Sequence, residues 1–176
     1  MTNCTGFAPV AGKNTRLLIL GSFPGIRSLE AGEYYAHPQN SFWRIMGLIC
    51  DAGIDIPYEE RLVRLHSRGI ALWDVLFRCE RAGSMDGAII ESGSLPNLFP
   101  AFFEDHPGIS RIFFNGQKAA HLYKRLVTPS IPPGFSSIPR QTLPSTSPAY
   151  ATMPFEEKAL RWRQEIVCSI DRTAPG

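Results

Sequence analysis

Residues 16–25 read Arg16-Leu17-Leu18-Ile19-Leu20-Gly21-Ser22-Phe23-Pro24-Gly25. Alternate side chains of a strand point to opposite faces, so a strand with one wet face would alternate apolar and polar residues. Here the apolar run is unbroken and stops at a glycine–proline turn. That pattern predicts a strand covered on both faces, as in a parallel sheet. Two later segments repeat it: Gly69-Ile70-Ala71-Leu72-Trp73-Asp74-Val75, and Arg111-Ile112-Phe113-Phe114 ending at Asn115-Gly116. Residues 138–143 are the weakest strand candidate. Between these runs the apolar period changes to that of a helix. Phe42, Ile45, Met46 and Ile49 share one face of a helix over 41–51. Leu62, Val63 and Leu65 do so over 58–67, with Gly69 as a stop, and Ala119, Ala120, Tyr123, Leu126 and Val127 mark another. Phe155, Ala159, Trp162, Ile166 and Ile170 form the face of a closing helix, with Pro154, Glu156 and Glu157 suited to its first turn. Strands alternating with helices give an α/β fold, a three-layer α/β/α sandwich with a mostly parallel central sheet. Residues 77–94 read as a polar, glycine-rich loop and 128–137 as a proline-rich loop held away from helix. Over 94–103, Pro100 weakens a helical reading.

The 176 residues predict one domain, residues 1–176, able to bury its own core. Apolar residues are 44% and charged residues 19%, which excludes whole-chain disorder and collagen-like repeats. No apolar run approaches the roughly 18 residues of a membrane span, and the start lacks a basic segment followed by an apolar one. The net charge of +2 permits nucleic-acid binding only through a local patch. The four cysteines, Cys4, Cys50, Cys79 and Cys168, form no CxxC pair. A zinc ribbon or iron–sulfur site therefore lacks support, and reduced thiols in the cytoplasm are expected. Neither metal nor cofactor is required, and no obligate protein partner is indicated.

Open α/β sheets bind ligands beyond the carboxyl ends of their strands. That rule selects Gly21–Gly25, the loop after Trp73-Asp74, Asn115-Gly116 and Pro144–Ala149. The first leads into Tyr34-Tyr35-Ala36-His37-Pro38-Gln39-Asn40-Ser41-Phe42-Trp43. Tyr34 and Tyr35 lie among glycines and charges, where core aromatics are not expected, and a ring on such a loop is a platform for a base. An Asn at a strand end presents a carbonyl and an amide NH2 side by side. Asn115 is thus suited to pair bidentately with a ligand edge that offers a donor and an acceptor side by side, or else serves the turn before Gly116. Leu143-Pro144-Ser145-Thr146-Ser147-Pro148-Ala149 suits a rigid loop whose hydroxyls hold phosphates, or a plain polar turn before the last helix. An imidazole is the side chain best suited to acid–base work near neutral pH, which makes His37 a candidate, although its place before Pro38 equally suits a structural hydrogen bond. Asn40 is well placed to cap the helix that follows it, a role compatible with holding a water or ligand there.

GSFPG followed by SL and YYAHPQNSFW resembles the first motif of the uracil-DNA glycosylase superfamily, most closely its hypoxanthine-DNA glycosylase (deoxyinosine glycosylase) branch. Mismatch-specific uracil glycosylases carry GINPG and FAHPxNRFW, with catalysis on the Asn of GINPG; Ser22 stands there in this chain. In the hypoxanthine branch the essential residue is the Asn of the HPxN segment, which falls on Asn40. Other members handle water with an Asp in the turn and assist the leaving base with a His opening the second motif. The turn has no carboxylate, and Leu143 stands in place of that His. The resemblance spans roughly residues 16–150. It implies a catalytic Asn40, base contacts from Ser22, Phe23, Tyr35 and Asn115, and DNA-backbone contacts from Ser145 and Ser147. The branch also has an R-x-G-S-x-D segment, here Arg81 to Asp86, which implies Ser84 at the backbone and Asp86 or His37 as accessory groups. Asp86 alternatively caps a helix or pairs with Arg78 or Arg81.

The reaction so implied is hydrolysis of the N-glycosidic bond of a deaminated base, most naturally hypoxanthine, in double- or single-stranded DNA, leaving an abasic site. The base must leave the stack, at a cost of a few kcal/mol. Tyr35 would stack on it, Asn115 would read its edge, and Asn40 would orient the attacking water. No lysine lies in the motifs, so no Schiff-base step is expected. Competing readings are a mismatch-type uracil glycosylase, a glycosylase-like domain that binds DNA without catalysis, and a small-molecule α/β hydrolase such as a nucleosidase.

Overall fold

The computed structural model describes residues 2–81 and 89–173. In chain order the elements are β1 (Thr2–Thr5), β2 (Leu17–Gly21), α1 (Ile26–Ala31), α2 (Phe42–Cys50), α3 (Tyr58–Ser67) and β3 (Ile70–Asp74). There follow β4 (Leu76–Arg81), β5 (Ile89–Pro96), α4 (Phe99–Asp105), β6 (Arg111–Asn115) and α5 (Gln117–Leu122), which runs into a π-helical turn over Tyr123–Val127. The chain closes with α6 (Pro133–Ser136), β7 (Arg140–Leu143) and α7 (Phe155–Thr173).

The main sheet has the order β3-β2-β6-β7, and every pair in it is parallel. β2 is central, and its alternating side chains enter two separate cores. Leu17 and Ile19 pack with Phe42, Leu65 and Trp162, while Leu18 and Leu20 pack with Phe99, Phe103 and Leu122. Helices α2, α3 and α7 therefore cover one face, and α4 and α5 the other. This is the three-layer sandwich that the unbroken apolar runs predict. Each of these buried large side chains contributes about 1.5–3 kcal/mol relative to exposure. Within α3, Leu65 is buried while Val63 faces solvent.

The structure departs from the sequence reading in four places. First, residues 77–94 are not simply a loop. β4 and β5 pair antiparallel, and β1 adds to β4, giving a second sheet of order β1-β4-β5. β4 reads as polar because Leu76 and Cys79 are buried while Phe77 and Arg78 between them are exposed, an irregular spacing that goes with the register shifts in its pairing with β5. Second, Pro100 does not oppose a helix, because it falls in the first turn of α4, where its missing N–H costs nothing. Third, the 128–137 loop contains a short 3₁₀ turn at Thr128–Ser130 and the single turn of α6, with prolines again at first-turn positions. Fourth, the short helix α1 follows the Gly21–Gly25 turn.

Candidate active site

The chain enters the sheet at its middle. It moves to β3 on one side of β2, then crosses to β6 and β7 on the other. A crevice opens at such a switch point, beyond the strand ends. Here it is a cleft of about 540 Å³. Its walls come from the ends of β2, β3 and β6, from the 34–40 segment, and from the 145–149 loop. Ser22, Phe23, Tyr35, His37, Asn40, Asn115, Ser145 and Ser147 all line it. Residues more than a hundred positions apart thus share one cavity. Ser84 and Asp86 lie outside the described residues.

Asn40 is half-buried, and its Oδ1 accepts the Phe42 N–H at 3.0 Å, closing the first turn of α2. The cap position of α2 is Ser41, so Asn40 secures the turn leading into the helix from one residue further out than expected, and its NH2 is left for a second partner. His37 is exposed, and its Nδ1 accepts the Gln39 N–H at 3.2 Å. Tyr35 has φ of 56°, in the left-handed region that costs a non-glycine residue energy. Its ring stacks on buried Phe42 with centroids 4.0 Å apart and planes at 24°. Tyr34 is a core residue, contrary to the sequence reading. It is 3% exposed, donates its hydroxyl to the Ala8 carbonyl, and receives the Trp43 indole N–H on its own carbonyl. Ser22 is buried, and its Oγ makes no hydrogen bond among the described residues.

Asn115 is engaged differently from the expectation. Its Nδ2 donates to Thr146 Oγ1 at 2.8 Å, and its Oδ1 accepts the Thr146 N–H at 2.9 Å. Both bonds go to one residue, so they use the edge on which the amide's oxygen and nitrogen lie side by side. What remains for a base is the outer N–H and one lone pair, not the bidentate edge. Thr146, 1% exposed, also accepts the Ser41 N–H at 3.0 Å on its carbonyl, so it joins three cleft walls. The loop approaches so closely that a Cβ on Gly116 would stand 2.9 Å from the Ser145 Cβ, and Gly116 has φ of 93°. Ser145 Oγ accepts the Ser147 N–H, and Ser147 Oγ accepts the Ala149 N–H. Each hydroxyl hydrogen keeps a direction outside these bonds.

Residues 9–170 match the Uracil DNA glycosylase superfamily. The chain belongs to this superfamily. Two relatives named Hypoxanthine DNA glycosylase, from Methanosarcina barkeri (strain Fusaro) and Methanosarcina acetivorans, are each 39% identical to it over 115 residues. Those residues are 65% of this chain and 72% of each relative. A solution structure of a candidate uracil DNA glycosylase from M. acetivorans superposes with a TM-score of 0.73 at 32% identity, covering 93% of this chain and 98% of that one. The expected fold and the suspected family are both borne out.

Within this superfamily site, two residues escaped the sequence reading. Thr146 carried no signal, since a Thr between two serines looks like any loop hydroxyl. Asp74 did carry one: it is the only charge on an otherwise apolar strand, Ile70 to Asp74, and every residue of that strand is buried. A carboxylate buried at a strand end that opens on a cleft is a candidate functional group. Asp74 lines the cleft at 3% exposure. Burial, with the Asp74 charge adding to it, holds the Tyr34 phenol far above its ordinary value of 10.0. Tyr34 therefore stays neutral and is no base. Among the described residues no cluster of three or more His, Cys, Asp or Glu is disposed to hold a metal ion. No described helix is long and apolar enough to cross a membrane.

Proposed function

We propose that this DNA glycosylase is monofunctional and excises a deaminated base, hypoxanthine from deoxyinosine, in base excision repair in the cytoplasm. The observation that carries the reading is the convergence of eight candidate residues, Ser22 to Ser147, on one cleft at the switch point of the sheet. The two relatives named Hypoxanthine DNA glycosylase support the choice of base. A cleft of about 540 Å³ lies within the range of small-ligand pockets, so a purine with its sugar fits as readily as a pyrimidine.

In this mechanism the extruded base stacks on Tyr35, whose far side is braced by Phe42. Ser22 Oγ and the outer N–H of Asn115 hydrogen-bond the base, and Phe23 packs beside it. Ser145 and Ser147 donate their hydroxyls to flanking phosphates, and Ser84, outside the described residues, is the further backbone contact that the family resemblance implies. The glycosidic bond lengthens toward an oxocarbenium-like sugar, as in other glycoside hydrolyses. The NH2 and carbonyl of Asn40 orient a water toward C1′; orientation matters more than basicity once the sugar is cationic. His37 and Asp86 are accessory groups.

The test is a panel of labelled oligonucleotides, each holding one deoxyinosine or deoxyuridine in single- or double-stranded form, read by alkali cleavage. Deoxyinosine strands should be cut and an Asn40→Ala variant should bind them without cutting. Preference for deoxyuridine would shift the reading to a mismatch-type uracil glycosylase. Binding that ignores salt would remove the DNA reading, because phosphate contacts release counterions.

A further inference from the structure

We infer that Asp74 is the charged catalytic residue of this site, facing the sugar from the floor of the cleft. The inference rests on the glycosylase reading and deepens it. The other inner groups of the cleft, Ser22, Asn115 and Thr146, are neutral amides or hydroxyls; of the ionisable side chains on its rim, Arg27 and Glu30 are exposed and paired with each other, and His37 is exposed. Neither the Gly21–Gly25 turn nor the loop after Leu143 brings a charge. Hydrolysis nevertheless builds positive charge on the sugar ring. A preorganised opposite charge in a water-poor site is the most effective way to stabilise it.

Asp74 is built into position. It stands beside Gly21 in the parallel register of β2 and β3. Its carbonyl receives the Asn97 Nδ2–H at 2.8 Å, and the following Val75 N–H donates to the Gly21 carbonyl at 2.9 Å. Its Oδ1 fills the space that a Cβ on residue 21 would need, and the Tyr35 hydroxyl lies 3.2 Å from that same point. The absence of a side chain at Gly21 is therefore what lets the carboxylate sit close to the hydroxyl end of Tyr35, the ring proposed to carry the base. The carboxylate thus reaches the cleft from the adjacent strand instead of from the turn.

The step balances with water alone. The C1′–N bond breaks with its electron pair leaving on the purine, which takes a proton from solvent. Water oxygen bonds to C1′, and the proton it sheds passes to the Asp74 carboxylate and then to solvent. Asp74 first stabilises the cation and then accepts this proton.

The experiment uses three duplexes: deoxyinosine, a neutral tetrahydrofuran abasic analogue, and a pyrrolidine abasic analogue that is cationic at neutral pH. Wild-type protein should bind the pyrrolidine duplex at least about tenfold more tightly than the tetrahydrofuran one, and Asp74→Asn should bring that ratio to near one. Asp74→Asn should keep its tetrahydrofuran affinity while single-turnover excision of hypoxanthine falls about a hundredfold or more. Asp74→Ser is made in parallel, and melting temperatures identify which variant has kept its fold. A wild-type ratio of one overturns the inference whether or not a variant folds, and so does a folded variant that keeps the ratio. If the wild type excises no base from any duplex, the glycosylase reading falls and this inference with it. If wild type and Asp74→Asn excise equally, only the role of Asp74 falls.

Discussion

Thr146→Val removes one oxygen from the centre of the cleft wall and keeps the branching of the side chain. The lost atom accepts the Asn115 Nδ2–H at 2.8 Å, and Thr146 is 1% exposed, so solvent does not replace it. A buried donor left without a partner costs about 1–3 kcal/mol. For a domain of this size each kcal/mol lowers the melting temperature by about 2–4 °C. The expected fall is therefore about 2–12 °C, with an unchanged denaturant slope. Asn115→Ala should cost more, because it removes both bonds and strands the Thr146 N–H as well. In the double variant the penalties should overlap, with a coupling of about 0.5–3 kcal/mol. Thermal and urea unfolding of the four proteins measure this cycle. Excision assayed well below the melting temperature should also drop in Thr146→Val, since the Asn115 amide is then held by the Thr146 N–H alone. A Thr146→Val protein within about 0.5 kcal/mol of wild type, or a strictly additive cycle, would refute the clamp.

Gly116→Ala should lose about 1–3 kcal/mol, because a non-glycine residue at φ of 93° is strained and its Cβ meets Ser145; urea midpoints report this. Tyr35→Ala should weaken binding of deoxyinosine DNA by the worth of one base stack, about 1–3 kcal/mol, read from fluorescence anisotropy. Partial burial pushes the His66 imidazole below its ordinary 6.5, so the folded state prefers it neutral. Its contribution to stability is full above pH 6.5 and is lost as pH falls through the lower folded value. Urea midpoints at pH 7.5 and pH 5.5 should therefore differ less in His66→Gln than in wild type.

The parts of the fold legible in the sequence are those whose physics is local. β2, β3 and β6 announce themselves as unbroken apolar runs, and α2, α3 and α7 by their spacing. The second sheet is invisible for the converse reason: β1 is only Thr2–Thr5, and β4 is held between β5, with which its register is irregular, and a strand some seventy residues earlier in the chain. Tyr34 was misread because its neighbours in sequence are polar, whereas its neighbours in space are Phe7, Tyr35 and the Trp43 indole. The strand-end rule located the cleft, since topology alone fixes it. The partner of Asn115 was not legible, because a hydrogen bond across 31 residues leaves no trace in composition.

Trp162 donates its indole N–H to the Pro144 carbonyl at 2.8 Å, which fastens the 144–149 loop to the last helix. That bond has a consequence for synthesis on the ribosome. The loop carrying Thr146 keeps its bonds to Asn115 and Ser41 on the sheet side, but lacks this brace until Trp162 has left the exit tunnel. A nascent chain that stops short of this residue therefore has a cavity wall held from the sheet side only, and the helix brace arrives in one step when Trp162 emerges.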